Sequence, residues 1–570
     1  MFHYSIYTLH VEFIFYISVA GCSIFYLVNK YFLPDRKLSL LISISYMLSG
    51  FMVASSQWLL YISAASFLPL IAIVLLRLLT RPSFVSSLLF AVVFYCMITS
   101  IYVAFSITIC YLLSGTIVVF LITNLAKKKN IKKECIYIFI AAVISILFSL
   151  PAILSTLDVL QHIQRGNPIN TDQAFFNSNY LHPSGILTML LPFSSVRLHA
   201  LNTESSMLNI YCGILPFLLL PVLFNNKFKN GKPAWLLFAI SIFFLLISFG
   251  ELTPLRGLLN YIPGFSYFRN ASLFRIFFLF FLLVFIAIRL KGKSLHFIFE
   301  SKAERNNLII VSAILLFISL SFLLMHLPLL GYLITTVHDS KTFISTLSLP
   351  GAITISSIVQ LGLLLFILFA LVKNKLKLFQ FTIVADLVIN TLICTPFFTV
   401  SSYSLKQVDN IFRSVSGFPV QVQHVSQVPV SYSINKAVWY NINVYKKHVS
   451  AVDSYRGPLE LNNYKNADSV TKDYFNHKII FSPDYDSSQI KIELQEPDHL
   501  KAIINANKSG TVYFLQNFYP GWKAYFNDEE IKINYSKNGG MNISVPGSGK
   551  IDFTYYKSSK FLTALALDIF

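Results

Sequence analysis

Apolar segments of helix length follow one another along most of the chain, with short polar connections between them. Because a helix of about 20 apolar residues spans the hydrocarbon core of a bilayer, we interpret about twelve of these segments as membrane spans. The predicted spans are Val11–Val28, Leu38–Ala54, Leu59–Leu79, Phe84–Thr99, Val103–Ile122, Cys135–Leu154, Leu208–Phe224, Trp235–Phe249, Leu273–Leu290, Leu308–Leu327, Ile353–Val372 and Phe379–Phe398. The pattern therefore predicts a polytopic α-helical membrane protein.

The spacing of apolar positions changes after the last of these segments. In residues 401–560 polar and apolar positions alternate over short runs, and turn-forming residues separate the runs. The runs are Gln489–Leu494, Thr511–Gln516, Ile531–Asn534, Met541–Val545 and Ile551–Tyr556, and the turn signals are Asn527-Asp528, Asn538-Gly539-Gly540 and Pro546-Gly547. This pattern is typical of antiparallel strands, so we predict a C-terminal β-sandwich domain. Residues 561–570 are apolar again, and we interpret them as the start of a truncated final span.

Basic residues divide the connections between the predicted spans into two groups. Clusters of Lys and Arg occur at every second connection. They are Lys30/Arg36/Lys37, Arg77/Arg81, Lys127–Lys129 with Lys132 and Lys133, Lys227/Lys229/Lys232, Lys291/Lys293/Lys302/Arg305 and Lys373/Lys375/Lys377. Since basic loops stay on the cytoplasmic side, the N-terminus, the other connections and the tail are predicted to lie outside. We therefore predict a transmembrane domain over residues 1–400, with long outer loops at 155–207 and 250–272, and an extracytoplasmic domain over 401–560.

Composition excludes a soluble globule. Of the 570 residues, 55% are hydrophobic and 12% are charged, whereas soluble domains carry roughly a quarter charged residues. The net charge of +19 is divided among the loop clusters, so we predict contact with membrane lipid and no nucleic-acid binding. The six cysteines lie in or beside apolar segments without CxxC spacing, which predicts neither a metal site nor a disulfide framework.

Several short motifs, taken in order, resemble the bacterial YfhO family of polytopic membrane proteins. The first group comprises Leu48-Ser49-Gly50-Phe51-Met52, Leu68-Pro69-Leu70, Leu150-Pro151 with Gln164-Arg165, Leu191-Pro192-Phe193 and Tyr211-Cys212-Gly213-Ile214-Leu215-Pro216. The second comprises Thr253-Pro254-Leu255, Ile262-Pro263-Gly264-Phe265 with Phe268-Arg269, Asp386-Leu387 and Tyr519-Pro520-Gly521-Trp522-Lys523-Ala524. Each motif is short, but together they cover nearly the whole chain.

The resemblance implies a GT-C-like glycosyltransferase in the bacterial cytoplasmic membrane. Such an enzyme takes a sugar from a polyprenyl-phosphate donor and transfers it, on the outer face, to a cell-envelope glycopolymer such as teichoic acid. The family pattern also implies an upstream span and a first outer loop whose acid acts as general base or metal ligand. This sequence departs from that pattern, since the histidines and acids before or at the outer start of the first predicted span are only His3, His10 and Glu12. A divalent cation as cofactor stays open.

Transfer from a lipid phosphate requires a base for the acceptor hydroxyl and cations for the leaving phosphate. Asp158 and Glu12 are the candidate catalytic acids, because both lie near the predicted outer boundary of the membrane. Arg165, Arg269 and Arg275 lie on the same side, and the guanidinium fork matches phosphate oxygens, so they are the candidate ligands of the donor phosphate. Snorkelling to the interface is the alternative role of these arginines.

Aromatic residues of the tail and one acid inside a span complete the candidates. Tyr519 and Trp522 are candidate sugar-stacking residues, although alternation places Trp522 and Tyr525 on opposite faces of a strand, so that at least one belongs to the core. Asp386 lies inside a predicted span, where a charge costs several kcal/mol unless it is paired. We expect an internal hydrogen bond with Asn390, one helical turn later, rather than an ion pathway.

Two other function classes stay open. A non-enzymatic envelope scaffold or a lipid or polysaccharide transporter shares the predicted topology, and a sugar-binding receptor acting through the tail is a third reading. An ion-driven transporter is disfavoured, because Asp386 is the only convincing charge inside a predicted span and no internal repeat is visible.

Overall fold

A computed structural model of the chain describes residues 6–160, 180–196, 204–224, 231–265, 268, 270–327, 348–398, 425–426, 449–450, 480–496, 498–517, 521–535 and 540–556. The chain divides into two compact units. The first comprises Met1–Phe148 with Pro168–Val400, and the second comprises Ser149–Asn167 with Ser401–Phe570. The described residues of the first unit are mostly helical, whereas all the described strands belong to the second.

The helices follow the apolar segments of the sequence. They are α1 (Ile6–Leu27, continued by a π-helical turn at Val28–Phe32), α2 (Arg36–Met47), α3 (Gly50–Ala54), α4 (Leu59–Thr80), α5 (Phe84–Ser100), α6 (Val103–Ala126), α7 (Lys132–Leu160), α8 (Leu215–Phe224), α9 (Gly231–Ser248), α10 (Pro254–Leu259), α11 (Arg275–Arg289), α12 (Leu295–Glu300), α13 (Lys302–His326), α14 (Leu349–Val372) and α15 (Leu376–Phe398). Short 3₁₀ helices occur at Pro183–Met189, Pro192–Val196, Ser205–Met207, Gly250–Leu252 and Ala271–Phe274.

Within the described residues, nine helical segments are long and apolar enough to cross a membrane. They are Thr8–Phe32, Arg36–Ala54, Leu59–Thr80, Val103–Ala126, Lys132–Leu154, Ala271–Arg289, Lys302–His326, Leu349–Val372 and Leu376–Phe398. Two shorter apolar helices, Phe84–Ser100 and Ala234–Ser248, accompany them. The chain is therefore a multi-pass membrane protein in its helical architecture, while the number of about twelve spans stays a prediction.

Capping side chains determine where several helices begin. Asp35 Oδ1 accepts the backbone N–H of Leu38 at the start of α2 at 3.0 Å, and its Oδ2 accepts that of Leu295 at the start of α12 at 3.3 Å. Ser301 and Ser348 cap α13 and α14 in the same way. Each cap satisfies a backbone donor that has no partner inside its own helix, so polar residues between apolar runs set the helix limits.

A buried irregular segment replaces the first half of one predicted span. The sequence predicts a span over Leu208–Phe224, but the helix α8 begins only at Leu215. Residues Ser206–Ile214, which we call the buried segment, are almost completely enclosed. Irregular backbone at this depth is stable only when its polar groups are satisfied by the surrounding protein.

The bonds of the buried segment explain why it is not helical. The backbone N–H of Ile210 donates to Thr188 Oγ1 at 3.1 Å, and that of Tyr211 donates to the side chain of Asn209 at 3.0 Å. Gly213 has φ +82°, a left-handed conformation that a helix does not contain. Side chains therefore take the donors that a helix would use, and α8 starts after them.

The helix α11 lies at the centre of the first unit. The span Ala271–Arg289 is 89% buried, the highest value among the nine spans. Phe244 of α9 packs on α11, with its ring 4.9 Å from that of Phe277, and Phe268 of the preceding loop packs on the 3₁₀ helix before α11, with its ring 4.2 Å from that of Phe274. Residues at the start of α11 are consequently held inside the protein rather than at its edge.

The second unit contains two antiparallel sheets and a separate parallel pair. The strands are β1 (Val425–Ser426), β2 (Val449–Ser450), β3 (Ile480–Phe481), β4 (Ile490–Glu496), β5 (His499–Ile504), β6 (Gly510–Asn517), β7 (Trp522–Phe526), β8 (Glu529–Ile531), β9 (Asn534–Tyr535), β10 (Gly540–Val545) and β11 (Gly549–Tyr555). One sheet has the order β3-β6-β10-β9, the other has the order β4-β5-β11-β7-β8, and β1 pairs with β2.

The strand pattern of the tail agrees with the predicted β-structure. Apolar side chains of both antiparallel sheets form one hydrophobic cluster, in which the rings of Phe514 on β6 and Phe553 on β11 are 5.0 Å apart. The predicted turn at Asn527-Asp528 joins β7 to β8, and both residues have positive φ, as tight hairpins require. The tail is thus a β-sheet region, and its description as a sandwich stays a prediction.

Candidate functional site

Arg275 is the candidate site residue that the structure describes most fully. It is the first residue of α11 and its side chain is 0% exposed. Nη1 donates to the carbonyl and hydroxyl oxygens of Ser272 at 3.1 and 2.7 Å. Nη2 donates to Ser55 Oγ at 3.0 Å and to the carbonyl of Ser206 at 2.7 Å. The guanidinium lies 4.7 Å from the centre of the Phe51 ring.

The positive charge of Arg275 has no carboxylate partner among the described residues. No described acid lies within ion-pair distance of it, and its Nε is buried without a hydrogen-bond acceptor. Burying an ion costs several kcal/mol, and neutral dipoles return only part of that cost. A buried cation without a carboxylate partner among the described residues therefore favours the presence of an anion close to it.

Aromatic and amide side chains lie beside Arg275 at the predicted outer ends of α4 and α6. The ring of Phe51 packs 6.4 Å from that of Phe105, and Phe105 packs 5.9 Å from Tyr61. Tyr61 in turn lies 5.8 Å from Tyr102, which is half-buried. These contacts connect Arg275 through buried rings to Tyr102, which reaches the surface.

An amide completes this group of side chains. Asn270 Nδ2 donates to the hydroxyl of Tyr61 at 3.4 Å, and Asn270 is itself half-buried. We call Ser55, Tyr61, Tyr102, Asn270 and Arg275 the Arg275 cluster. A cation beneath aromatic rings and an amide provides the chemistry that a sugar phosphate needs, since rings stack on sugars and amides bond their hydroxyls.

Asp386 forms a second buried group inside α15. Its carboxylate is 0% exposed. Oδ1 accepts from the hydroxyl of Tyr211 at 2.5 Å, from Asn390 Nδ2 at 3.1 Å and from Gln360 Nε2 at 3.4 Å, and Oδ2 accepts from the backbone N–H of Ile214 at 3.0 Å. We call Tyr211, Ile214, Gln360, Asp386 and Asn390 the Asp386 cluster. The predicted hydrogen bond between Asp386 and Asn390 is present.

The two clusters hold opposite ends of the buried segment. Arg275 binds the carbonyl of Ser206 at its beginning, whereas Asp386 binds Tyr211 and Ile214 at its end. Oδ1 of Asp386 accepts from three donors and Oδ2 from one. All members of the Asp386 cluster are buried. The cluster is consequently closed to solvent, and its geometry indicates a structural role in holding the segment.

Arg256 supports the loop that precedes α11. It lies in α10, is 4% exposed, and its Nη2 donates to the carbonyls of Phe265 and Phe268, at 3.3 and 2.5 Å. Burial lowers the pKa of Arg256, and the charge of Glu251 opposes that shift. Because arginine ordinarily titrates far above neutral pH, Arg256 remains cationic and keeps the loop carbonyls in place.

The other predicted site residues are described to different extents. Glu12 is half-buried in α1. Asp158 belongs to α7, for which only the backbone is described at that position, and Arg165, Arg269 and Tyr519 lie outside the described residues. Their predicted catalytic, phosphate-binding and sugar-binding roles stay predictions.

Trp522 lies in the hydrophobic core of the second unit. Its side chain is 6% exposed, and its ring is 5.5 Å from both Phe514 and Tyr555. Tyr525 on the same strand is half-buried, as the predicted alternation requires. The burial of Trp522 leaves little ring surface for a sugar, as does that of Tyr61, whereas Tyr102 of the Arg275 cluster is half-buried.

Sequence reasoning missed several members of both clusters. Gln360 carries a detectable signal, because a polar side chain inside an apolar segment is costly unless it is bonded. Tyr61, Tyr102 and Asn270 carry none, since aromatic and polar residues at span ends are common. Within the described residues, no group of three or more His, Cys, Asp or Glu is arranged to hold a metal ion.

Comparison of the chain with protein-family models, curated proteins and solved structures finds no match. Its function is therefore argued from the geometry of the Arg275 cluster and from the motifs of the sequence.

Proposed function

We propose that this protein is a glycosyltransferase-like membrane protein of the YfhO type. It takes a sugar from a polyprenyl-phosphate donor and transfers it to a cell-envelope glycopolymer at the outer face of the bacterial cytoplasmic membrane, with its C-terminal β-domain also outside. The observation that carries the proposal is the buried charge of Arg275, which has no carboxylate partner among the described residues and whose cluster includes the half-buried Tyr102 and Asn270.

The chemistry explains why such a charge is useful. An acceptor hydroxyl attacks the anomeric carbon of the sugar, the bond from that carbon to the phosphate oxygen breaks, and a base removes the hydroxyl proton. Negative charge grows on the departing lipid phosphate during this step. A fixed cation in a low-dielectric site stabilises that charge without reorganising, which lowers the barrier.

Arg275 supplies a positive charge from inside the protein, while Arg269 and Arg165 have the role of donor-phosphate ligands that the sequence predicts. Tyr61, Tyr102 and Asn270 face the sugar in this arrangement. The base is Glu12 or Asp158, as the sequence predicts.

The test measures release of polyprenyl phosphate from a labelled polyprenyl-phosphate sugar by the full chain in lipid nanodiscs. Arg275→Met removes the charge but retains an unbranched side chain, and we expect release to fall about 100-fold, the loss typical of one transition-state contact. Arg275→Lys keeps the charge and should retain part of the activity. Thermal unfolding curves of both proteins check that they are folded. If folded Arg275→Met releases polyprenyl phosphate at the wild-type rate, Arg275 has no part in the mechanism.

A non-enzymatic envelope scaffold is the second candidate. It is favoured by the fact that both terminal nitrogens of Arg275 and both carboxylate oxygens of Asp386 already bind neutral groups within the protein. In that case Arg275→Met lowers the melting temperature, and the wild type releases no polyprenyl phosphate from any donor.

A further inference from the structure

A groove of about 550 Å³ lies between the last residues of α6 and the first residues of α7, beside the loop that joins them. Its apolar wall and its two ammonium groups come from Leu121, Leu125, Ile131 and Ile136, and from Lys129 and Lys132. A cavity of roughly 150 Å³ with apolar walls already accepts a small hydrocarbon group. The groove therefore has room for several segments of a hydrocarbon chain.

The apolar and cationic residues of the groove lie at different depths. On α6, Leu121 lies about 8 Å before the helix ends, at 1.5 Å per residue, and Lys129 follows in the loop. On α7, Ile136 lies about 6 Å after Lys132, with which the helix begins. A phospholipid has the same order, because its phosphate lies at the membrane surface and its acyl chains lie below.

The groove belongs to helices that are turned toward the bilayer. The spans Val103–Ala126 and Lys132–Leu154 are only 28% and 22% buried, compared with 89% for Ala271–Arg289. Leu125 and Ile136 are 60% and 57% exposed. Since lipid tails are as apolar as leucine, the hydrocarbon of the bilayer is a suitable cover for these side chains.

Local hydrogen bonds hold the loop and its lysines in one arrangement. The backbone N–H of Lys129 donates to the carbonyl of Asn124 at 3.0 Å, and Lys128 has φ +52°, the left-handed turn that ends many helices. Asn130 Oδ1 accepts the backbone N–H of Lys132 at 3.2 Å, where α7 begins. Because the backbone is already ordered, a ligand that binds here pays little additional entropy.

The charge of this region determines which headgroup fits. Between residues 127 and 134 the chain has five lysines and one glutamate. Basic groups beside a membrane span attract the anionic lipids of the cytoplasmic leaflet, and the sequence predicts that this loop is cytoplasmic. A zwitterionic headgroup carries its own cation beside the phosphate, so a headgroup with net negative charge is the better complement.

We propose that this groove is a binding site for an anionic diacyl phospholipid of the cytoplasmic leaflet. The ammonium groups of Lys129 and Lys132 bind the phosphate at the rim of the groove. The acyl chains lie deeper, along Leu125 and Ile136. The lipid is thus held by charge at one end and by apolar contact at the other.

This lipid site is far from the Arg275 cluster. Tyr102 precedes the first residue of α6, whereas the groove lies beside the last residues of the same helix, roughly 35 Å away at 1.5 Å per residue. The lipid site is therefore independent of the proposed function, and its tests need no sugar donor.

The thiol of Cys135 can report whether the groove is occupied, because it is exposed and lines the groove. The test measures the rate at which a maleimide alkylates Cys135 in the full chain in neutral detergent, while phosphatidylglycerol is added. Cys22 of α1 is exposed and does not line the groove, so its alkylation rate is the internal reference.

Phosphatidylglycerol should protect Cys135 and leave Cys22 unchanged. At about ten times its dissociation constant it should slow alkylation of Cys135 about tenfold, because only about one site in eleven is then free. Phosphatidylcholine with the same acyl chains should protect neither thiol, since it carries no net charge.

Two pairs of substitutions with the same change in charge separate the groove from general attraction by the loop. Lys129→Gln with Lys132→Gln should raise the lipid concentration for half-maximal protection about 30-fold, at about 1 kcal/mol for each lysine. The matched control is Lys127→Gln with Lys133→Gln, which removes two exposed lysines of the same region that do not line the groove. The control pair should raise that concentration less than about threefold, because solvated charges away from the phosphate are screened.

A third pair of variants tests the apolar wall and does not depend on the lysines. Leu125→Gln places an amide on the wall and should weaken protection several-fold. Ile122→Gln is the matched control, because Ile122 is 62% exposed on α6 and lies outside the groove. Thermal unfolding curves check that every variant is folded.

Three results would overturn the proposal. They are no greater protection of Cys135 by phosphatidylglycerol than by phosphatidylcholine, equal shifts from the two lysine pairs, and protection that rises with protein concentration in the absence of added lipid. The last result would assign the groove to a contact between two copies of the chain.

Discussion

The Arg275 and Asp386 clusters are two solutions to the same physical problem. Each is built on a fully buried ionisable side chain with no described partner of opposite charge, and each binds one end of the buried segment Ser206–Ile214. Both carry a desolvation cost that hydrogen bonds from neutral groups must offset. They differ in how far their clusters reach the surface.

The Asp386 cluster is closed to solvent, whereas the Arg275 cluster reaches the surface. Four donors bond the carboxylate of Asp386, and every member of its cluster is buried. Among the described residues the Nε of Arg275 has no acceptor, and its cluster includes the half-buried Tyr102 and Asn270. A closed network stabilises a fold, and an open one next to the surface can bind a ligand. The comparison teaches that a buried charge is a better functional candidate when its network opens to the surface.

The largest change in stability is expected from removing the carboxylate of Asp386, the acceptor of the closed network. Asp386→Leu leaves the Tyr211 hydroxyl and the Ile214 N–H without a partner, which should lower the free energy of unfolding by about 3 kcal/mol, at about 1 to 3 kcal/mol for each orphaned donor. Asp386→Asn retains one acceptor and should lose less. The melting temperature of the protein in detergent measures this, and a wild-type value for Asp386→Leu would refute the structural role.

A smaller effect is expected at the rim of the open network. Tyr61→Phe removes the hydroxyl that accepts from Asn270 at 3.4 Å but keeps the ring. The free energy of unfolding should change by less than about 1 kcal/mol. The release of polyprenyl phosphate should fall several-fold, because Asn270 loses the hydroxyl that orients it. Phe105→Leu, a change in the packing beneath the ring, serves as the control for general disturbance. Unchanged release by Tyr61→Phe would exclude its hydroxyl from the site.

The smallest effect is expected at Gln360. Its Nε2 lies 3.4 Å from Asp386 Oδ1, the longest bond of that cluster, and its Oε1 is buried without a donor. Gln360→Met removes both groups at similar volume, so the free energy of unfolding should change by about 1 kcal/mol or less, of either sign. Chemical denaturation would measure it, and a loss as large as that of Asp386→Leu would show that the carboxylate needs every donor.

Local features of the fold were predictable from the sequence, because they depend on neighbouring residues. The apolar runs indicated most of the helices, the turn at Asn527-Asp528 indicated the β7–β8 hairpin, and the spacing of four residues indicated the bond between Asp386 and Asn390. Arg275 was identified as a candidate from its place at the start of a span.

The partners of these residues were not predictable, because they are distant in sequence. Ser55 and Ser206 lie 220 and 69 residues from Arg275, and Tyr211 lies 175 residues from Asp386. Apolar residues made Leu208–Phe224 resemble a continuous span, yet hydrogen bonds from remote side chains keep its first part irregular. Which buried charge is open and which is closed follows from tertiary contacts alone.

The most direct test of the central claim is the change in melting temperature that a long-chain polyisoprenyl monophosphate causes in wild type, Arg275→Met and Asp386→Asn. A ligand stabilises the folded state only if the folded state binds it. The account predicts that Asp386→Asn unfolds at a lower temperature but is still stabilised by the lipid, whereas Arg275→Met is not stabilised. Equal stabilisation of Arg275→Met and wild type would contradict the claim that the Arg275 cluster binds the phosphate.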